Sequence, residues 1–113
     1  MKEIKAIIRP AKLLEVTEEL QMVDGLPGVT VSEIKGFGKS RAKNASDKVL
    51  YEMVEFIPRI QLEVVVDDGM VDEVVSVIQK YAHTGNTGDG KIFVSTVDDI
   101  VKIRTNERGP SAV

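Results

Sequence analysis

The chain runs through one order of elements twice, and that doubling limits its fold more than any other feature. Met1–Arg9 alternates, with Ile4, Ala6 and Ile8 on one face and Lys5 and Ile7 on the other, which is the period of a β-strand. Pro10 ends it. Over Ala11–Val23, Leu13, Val16, Leu20 and Val23 recur at helical spacing in a window rich in Leu, Glu and Lys, so an amphipathic helix is predicted. Gly25, Pro27 and Gly28 form a turn, and Val29–Lys35 alternates again with β-branched residues. The order then repeats. Arg59–Val66 alternates, Asp67-Asp68-Gly69 places acids at a helix N-terminus, and Val71, Val74, Val75 and Ile78 predict a helix to about Ala82. A turn containing Gly85, Gly88 and Gly90 leads into a strand over Lys91–Ser95. Ile100–Arg104 is expected to be a short final strand, and residues from about 105 to 113, without apolar period, an adaptable tail.

Strand, helix and strand, twice over, is the α+β arrangement called ferredoxin-like, βαββαβ, a four-stranded antiparallel sheet with both helices on one face. At roughly 100–200 residues per domain, 113 residues make one domain, 1–113. Ile7 and Val65 point to the face that no helix covers, and monomers rarely expose such patches, so oligomerisation is expected. The strands at Val29–Lys35 and Arg59–Val66 are separated by a stretch, about 39–50, with neither periodicity nor hydrophobicity before a β-like run through Tyr51, Met53 and Phe56. Loops beyond about 12 residues are uncommon in compact domains and usually carry function.

Composition removes several classes of function. With no Cys and one His there is no disulfide framework, thiol nucleophile or ordinary zinc site, and no metal site is expected. No apolar run approaches the roughly 20 residues of a membrane span, so a cytoplasmic protein without membrane insertion is expected. A net charge of −3 and an aromatic fraction of 4% argue against nucleic acid as a partner. Charge is unevenly placed: Lys39–Lys48 carries +3 and the remainder −6. That basic stretch suits either plain solvation or an anionic partner surface.

Three motifs carry chemistry. Thr84–Lys91 has three glycines and ends in Lys, so it exposes backbone N–H groups beside an ammonium, as a polyphosphate requires. Its spacing is not that of a Walker A loop, and on the motif alone ordinary turn chemistry is the plainer reading. Gly36-Phe37-Gly38-Lys39 allows close backbone approach, with Lys39 and Arg41 as phosphate partners; a strand-ending bend is the plainer reading. Lys102 and Arg104, two apart on the expected last strand, project from one face. Glu63 stands mid-strand among valines and needs a donor, a neighbouring Lys by default or a ligand amino or hydroxyl group. No nucleophile and base stand together, and His83 reads as a helix-end cap.

Thr84-x-x-x-Gly88-Asp89-Gly90-Lys91-Ile92-Phe93-Val94 resembles the C-terminal signature of the PII nitrogen-regulatory signal proteins without a mismatch. The opening Met-Lys-x-Ile-x-Ala-Ile-Ile-Arg-Pro, Lys35–Gly38, Phe56–Arg59 and Lys102–Thr105 extend the resemblance over nearly the whole chain. It implies a homotrimer that binds ATP or ADP between subunits, with Mg2+ accompanying ATP, and a loop that docks on a target, a membrane transporter foremost. Carried over by position, Gly88, Asp89, Gly90 and Lys91 hold the phosphates, with Gly36, Gly38 and Lys39 beside them and Lys102 and Arg104 reaching from a neighbour. Ile7, Gly28, Val29, Thr30, Glu63 and Val65 line the base and ribose pocket. Arg41, Lys43, Ser46, Lys48 and Tyr51 belong to the partner-binding loop.

The loop is where this chain departs from the family. The family's Tyr-Lys/Arg-Gly-Ala/Ser-Ala/Glu-Tyr signature is replaced by Asp47-Lys48-Val49-Leu50-Tyr51-Glu52, so the modified tyrosine falls on Glu52 and Tyr51 is out of register. Ser40 replaces the loop-base Gln that helps assemble magnesium and 2-oxoglutarate, while Arg59 keeps the basic residue after Pro58. A divergent, non-enzymatic PII-like adenine-nucleotide sensor without a 2-oxoglutarate response is therefore expected. The alternative is a PII-like sensor of bicarbonate or a second-messenger nucleotide; a slow ATPase or small phosphatase ranks below both.

Overall fold

In a computed structural model, which describes residues 1–37 and 55–113, the opening alternation becomes strand β1, Lys2–Ile8, with Ile4, Ala6 and Ile8 buried. Pro10 follows in the first position of a 3-10 turn, Pro10–Lys12, where its missing N–H costs nothing. Helix α1, Leu13–Leu20, buries Val16 and Leu20. It ends earlier than the apolar period, which predicts helix to Val23. Residues 21–23 continue as single turns, Val23 N–H donating to the Leu20 carbonyl at 3.1 Å, and Val23 still reaches the core. Burial, and not helical hydrogen bonding, extends the pattern. Gly25 then turns the chain at φ 75°.

Strand β2 spans Thr30–Gly36 and strand β3 Ile57–Val66, which begins two residues before the alternation does. Helix α2, Val71–Ala82, buries Val74, Ile78 and Ala82 and carries Asp72 and Glu73 in its first turn, opposite the helix dipole. Strand β4 is Lys91–Thr96. β1 pairs antiparallel with β3 from Lys2↔Val66 to Ile8↔Ile60, and with β4 from Lys2↔Thr96 to Ile7↔Lys91. β2 pairs antiparallel with β3 from Thr30↔Glu63 to Gly36↔Ile57. The order β2-β3-β1-β4 is that of the ferredoxin-like sheet predicted from the repeated halves. Val16, Leu20, Val74 and Ile78 share one core with Ile4, Ala6, Leu62 and Val64, which puts both helices on the same face. Ile7, Gln61, Glu63 and Val65 lie on the other face, only partly covered.

The expected last strand is absent. Ile100–Arg104 contributes one bridge, Val101↔Arg108, and then reverses: Lys102 N–H donates to the Glu107 carbonyl at 2.9 Å, with Asn106 at φ 61°. Among the described residues the outer edges of β2 and β4 stay open, and the segment pairs instead with the tail that follows it. Val101 and Ile103 are 43% and 99% exposed, an apolar alternation without a core behind it. The tail closes with a 3-10 turn, Gly109–Ala112, whose Ala112 is buried.

Candidate functional site

The loop joining α2 to β4 is built around a carboxylate. Asp89 Oδ2 accepts the backbone N–H groups of Thr84 at 2.8 Å and Gly85 at 2.9 Å, and Oδ1 accepts the Thr84 hydroxyl and Arg9 Nε at 3.0 Å. Arg9 also donates through Nη2 to the Thr87 carbonyl at 2.8 Å. The Thr84 hydroxyl and backbone N–H, with Arg9 and the Gly85 N–H behind them, hold the Asp89 carboxyl far below the usual carboxylate range.

Glycine is required in this loop for two separate reasons. Gly85, Gly88 and Gly90 have φ of 90°, 100° and 99°, in a region that L side chains rarely enter. At Gly90 there is also no room, because a Cβ would lie 1.7 Å from the Ile7 carbonyl oxygen. At Gly88 a Cβ would start 3.2 Å from the Arg9 guanidinium and 3.3 Å from that of Arg59. Two guanidiniums therefore flank the middle of the loop, while Lys91 opens β4 directly opposite Ile7. Ile7, Asp89, Gly90 and Lys91 line one pocket together with His83, which leaves α2 in extended conformation as its C-cap.

A second pocket lies on the uncovered face. Gly28, Thr30, Glu63 and Val65 line it with Glu3 and with Ala112 and Val113 of the tail. Thr30 and Lys5 both stand directly opposite Glu63 across the ladders. The donor to Glu63 is the Gln61 amide, two residues away on the same strand face, and not the lysine that is the default expectation. A neighbour at i+2 on one face reaches without crossing a strand.

The residues singled out in the sequence thus fall into two groups on one subunit: Ile7, Asp89, Gly90 and Lys91 at the glycine loop, and Gly28, Thr30, Glu63 and Val65 on the open face. Gly88 belongs to the glycine loop by position. Val29 packs against the core side, apart from both. Gly36 ends β2, and a Cβ there would meet nothing within 4 Å. Lys102 and Arg104 occupy the turn after Val101 instead of a shared strand face, with Lys102 Nζ 3.9 Å from Glu107. Gly38, Lys39, Ser40, Arg41, Lys43, Ser46, Lys48 and Tyr51 lie outside the described residues. Arg9 is the residue that sequence reasoning misses. Its partner is 80 positions away, so no local period records it. The available signal is Asp89, an acid in a loop otherwise suited to phosphate, which calls for a nearby cation.

Among the described residues no group of three or more His, Asp or Glu side chains is arranged to hold a metal, and no helix is long and apolar enough to cross a membrane. Residues 1–107 match the family described as Nitrogen regulatory protein P-II. Curated proteins named Nitrogen regulatory protein P-II match over the full length of both chains: 46% identical in Azospirillum brasilense and 47% in Mesorhizobium japonicum. The Synechocystis protein of that name is 45% identical over 114 aligned positions.

Proposed function

The chain belongs to the P-II nitrogen regulatory family, and from that premise we propose that it is a non-enzymatic sensor binding ATP or ADP between the subunits of a homotrimer. The observation that carries the reading is the glycine loop. The N–H of Gly85 is taken by Asp89, whereas Gly88 and Gly90 carry no side chain to cover the backbone, and the loop runs directly into Lys91. An anion of the size of a polyphosphate finds there both donors and charge. Ile7 lies beside Lys91, and Gly28, Thr30, Glu63 and Val65 offer a partly apolar surface with a carboxylate acceptor, suited to an adenine amino group or a ribose hydroxyl. In this reading Val29, Gly36, Gly38 and Lys39 complete the site, with Mg2+ accompanying ATP. Lys102 and Arg104 act on a neighbouring subunit, which fits their position in an exposed turn, outside the lining of either pocket.

Occupancy is reported by the loop of about 39–50, whose +3 charge on an otherwise acidic chain suits docking on a target protein. The target class, a membrane transporter, rests on the family resemblance. Arg41, Lys43, Ser46, Lys48 and Tyr51 are the docking residues in this scheme. Ser40 is shorter in reach than the family's Gln, and magnesium demands oxygen ligands at about 2.1 Å, so 2-oxoglutarate is not expected to assemble beside ATP. Millimolar 2-oxoglutarate with magnesium should leave ATP affinity unchanged, and a several-fold tightening would reject this part of the proposal.

The main test is Lys91→Ala. A charge-assisted phosphate contact is worth about 1.5–3 kcal/mol, so calorimetry should show ATP weakened more than tenfold. Wild-type affinity in that variant would remove the site from the glycine loop.

A further inference from the structure

We propose that Arg9 is the positioning residue of the glycine loop: its guanidinium, docked on Asp89 and on the Thr87 carbonyl, holds residues 84–90 in the shape that receives phosphates, without itself touching them. The ligand rests on the nucleotide reading above; the clamp does not.

Arg9 is well placed to act as a fixed post. It follows directly on β1 and precedes Pro10, and its φ of −67° and ψ of 139° are the extended values that a following proline enforces. The fork of the guanidinium then serves two loop atoms at once, Nε to Asp89 Oδ1 at 3.0 Å and Nη2 to the Thr87 carbonyl at 2.8 Å. From Asp89 the hold passes through its other oxygen to the N–H groups of Thr84 and Gly85, so one side chain ties both ends of the loop to β1. A second anchor lies two residues back on β1, where Gly90 lies against the Ile7 carbonyl too closely to admit a Cβ.

Such a hold is needed because the loop has little stiffness of its own. Three of its residues are glycines, which lose more conformational freedom on ordering than any other residue. A flexible loop would have to be ordered by the ligand, at the ligand's expense in affinity. Arg9 has an electrostatic effect as well. Asp89 is an acid within a loop that must meet an anion, and the ion pair offsets its charge while Arg59 and Lys91 remain nearby as cations. Arg9 and Asp89 are about a quarter exposed, 28% and 23%, so the pair is neither buried nor freely solvated.

The test compares Arg9→Ala, Arg9→Lys, Asp89→Asn and the double variant. In the ligand-free protein, amide exchange at Thr84 and Gly85 should quicken at least tenfold in Arg9→Ala, and Arg9→Lys, which keeps the charge but not the fork, should fall between. ATP should weaken at least tenfold in Arg9→Ala, while adenosine, which lacks phosphates, should change less than twofold. The double variant should bind ATP no worse than Arg9→Ala alone. Wild-type exchange in both Arg9 variants overturns the clamp. So do equal losses for ATP and adenosine, or additive losses in the double variant, which would put Arg9 on the phosphate itself. If the wild-type protein binds neither nucleotide, the reading of function fails, and the exchange rates alone decide the clamp. Should Arg9→Ala not fold, Arg9→Lys supplies the same comparison.

Discussion

At Gly90 and Gly109 the same substitution should have different consequences. Both are left-handed, at φ 99° and 75°, so alanine costs each about 1–2 kcal/mol in backbone strain. Gly109 has nothing within 4 Å of a Cβ, whereas at Gly90 the Cβ would overlap the Ile7 carbonyl oxygen. Thermal unfolding should show Gly109→Ala losing about 1–2 kcal/mol and Gly90→Ala more than about 3 kcal/mol, since β4 must shift along β1 to relieve the overlap. Equal losses would mean that strain alone, not close approach, fixes glycine at Gly90. Asp89 sets a different expectation, in pH. Its carboxyl is depressed below the ordinary value of 3.8, chiefly by the Thr84 hydroxyl and backbone N–H, so its folded-state pKa lies under its unfolded one. A depressed carboxyl contributes stability that is fully present above the unfolded value and is lost as pH falls through the folded one. The amide resonances of Thr84 and Gly85 should therefore stay flat down to about pH 3.8 and move only below it. An inflection at or above that value would show the carboxylate free of the loop.

Elements were legible in the sequence where one face is buried, and less so where the chain answers to something non-local. β1 and β3 were readable because Ile4, Ala6 and Ile8 and Ile60, Leu62, Val64 and Val66 alternate into one core. The helices were legible too, but Val23 extended the apparent period of α1 past its hydrogen bonds. Ile100–Arg104 misled for the opposite reason: it alternates as a strand does, yet it reverses at once and pairs only with its own tail, Val101 with Arg108. At the candidate site, the glycines and Lys91 were legible as local chemistry. The Arg9–Asp89 pair and the Gln61 donor to Glu63 were not, because a side chain's partner depends on how strands are juxtaposed. Stability should divide along the same line. Ile78 is 1% exposed in the core, so Ile78→Ala should cost about 2–5 kcal/mol by denaturant unfolding. Ile103 is 99% exposed in the subunit, so Ile103→Ser should cost the subunit's own fold less than about 0.5 kcal/mol. A loss as large as that of Ile78→Ala would mean that another surface covers this turn.

For the whole molecule, the decisive feature is that one sheet has two faces and only one of them is covered. The helices bury Ile4, Leu62 and Val64, while Ile7 and Val65 remain half covered and Phe93, opposite Lys5 on β4, is 50% exposed. In the proposed trimer, other copies of the same chain would cover this apolar face. Phe93 is a useful probe because it lies on that face without belonging to either pocket. Phe93→Asp would place a carboxylate in a subunit contact, where desolvation without a partner costs several kcal/mol, but would leave the helix-side core untouched. Sedimentation should therefore show folded monomers with the helical content of the wild type. The separated subunits should also lose ATP binding, because the glycine loop and open-face pocket of one subunit would be without Lys102 and Arg104 of the next. The two outcomes test different steps: a variant that stays trimeric removes the open sheet face from the interface. A folded monomer that binds ATP as the wild type does would place the whole nucleotide site within one subunit, leaving Lys102 and Arg104 with no part in it.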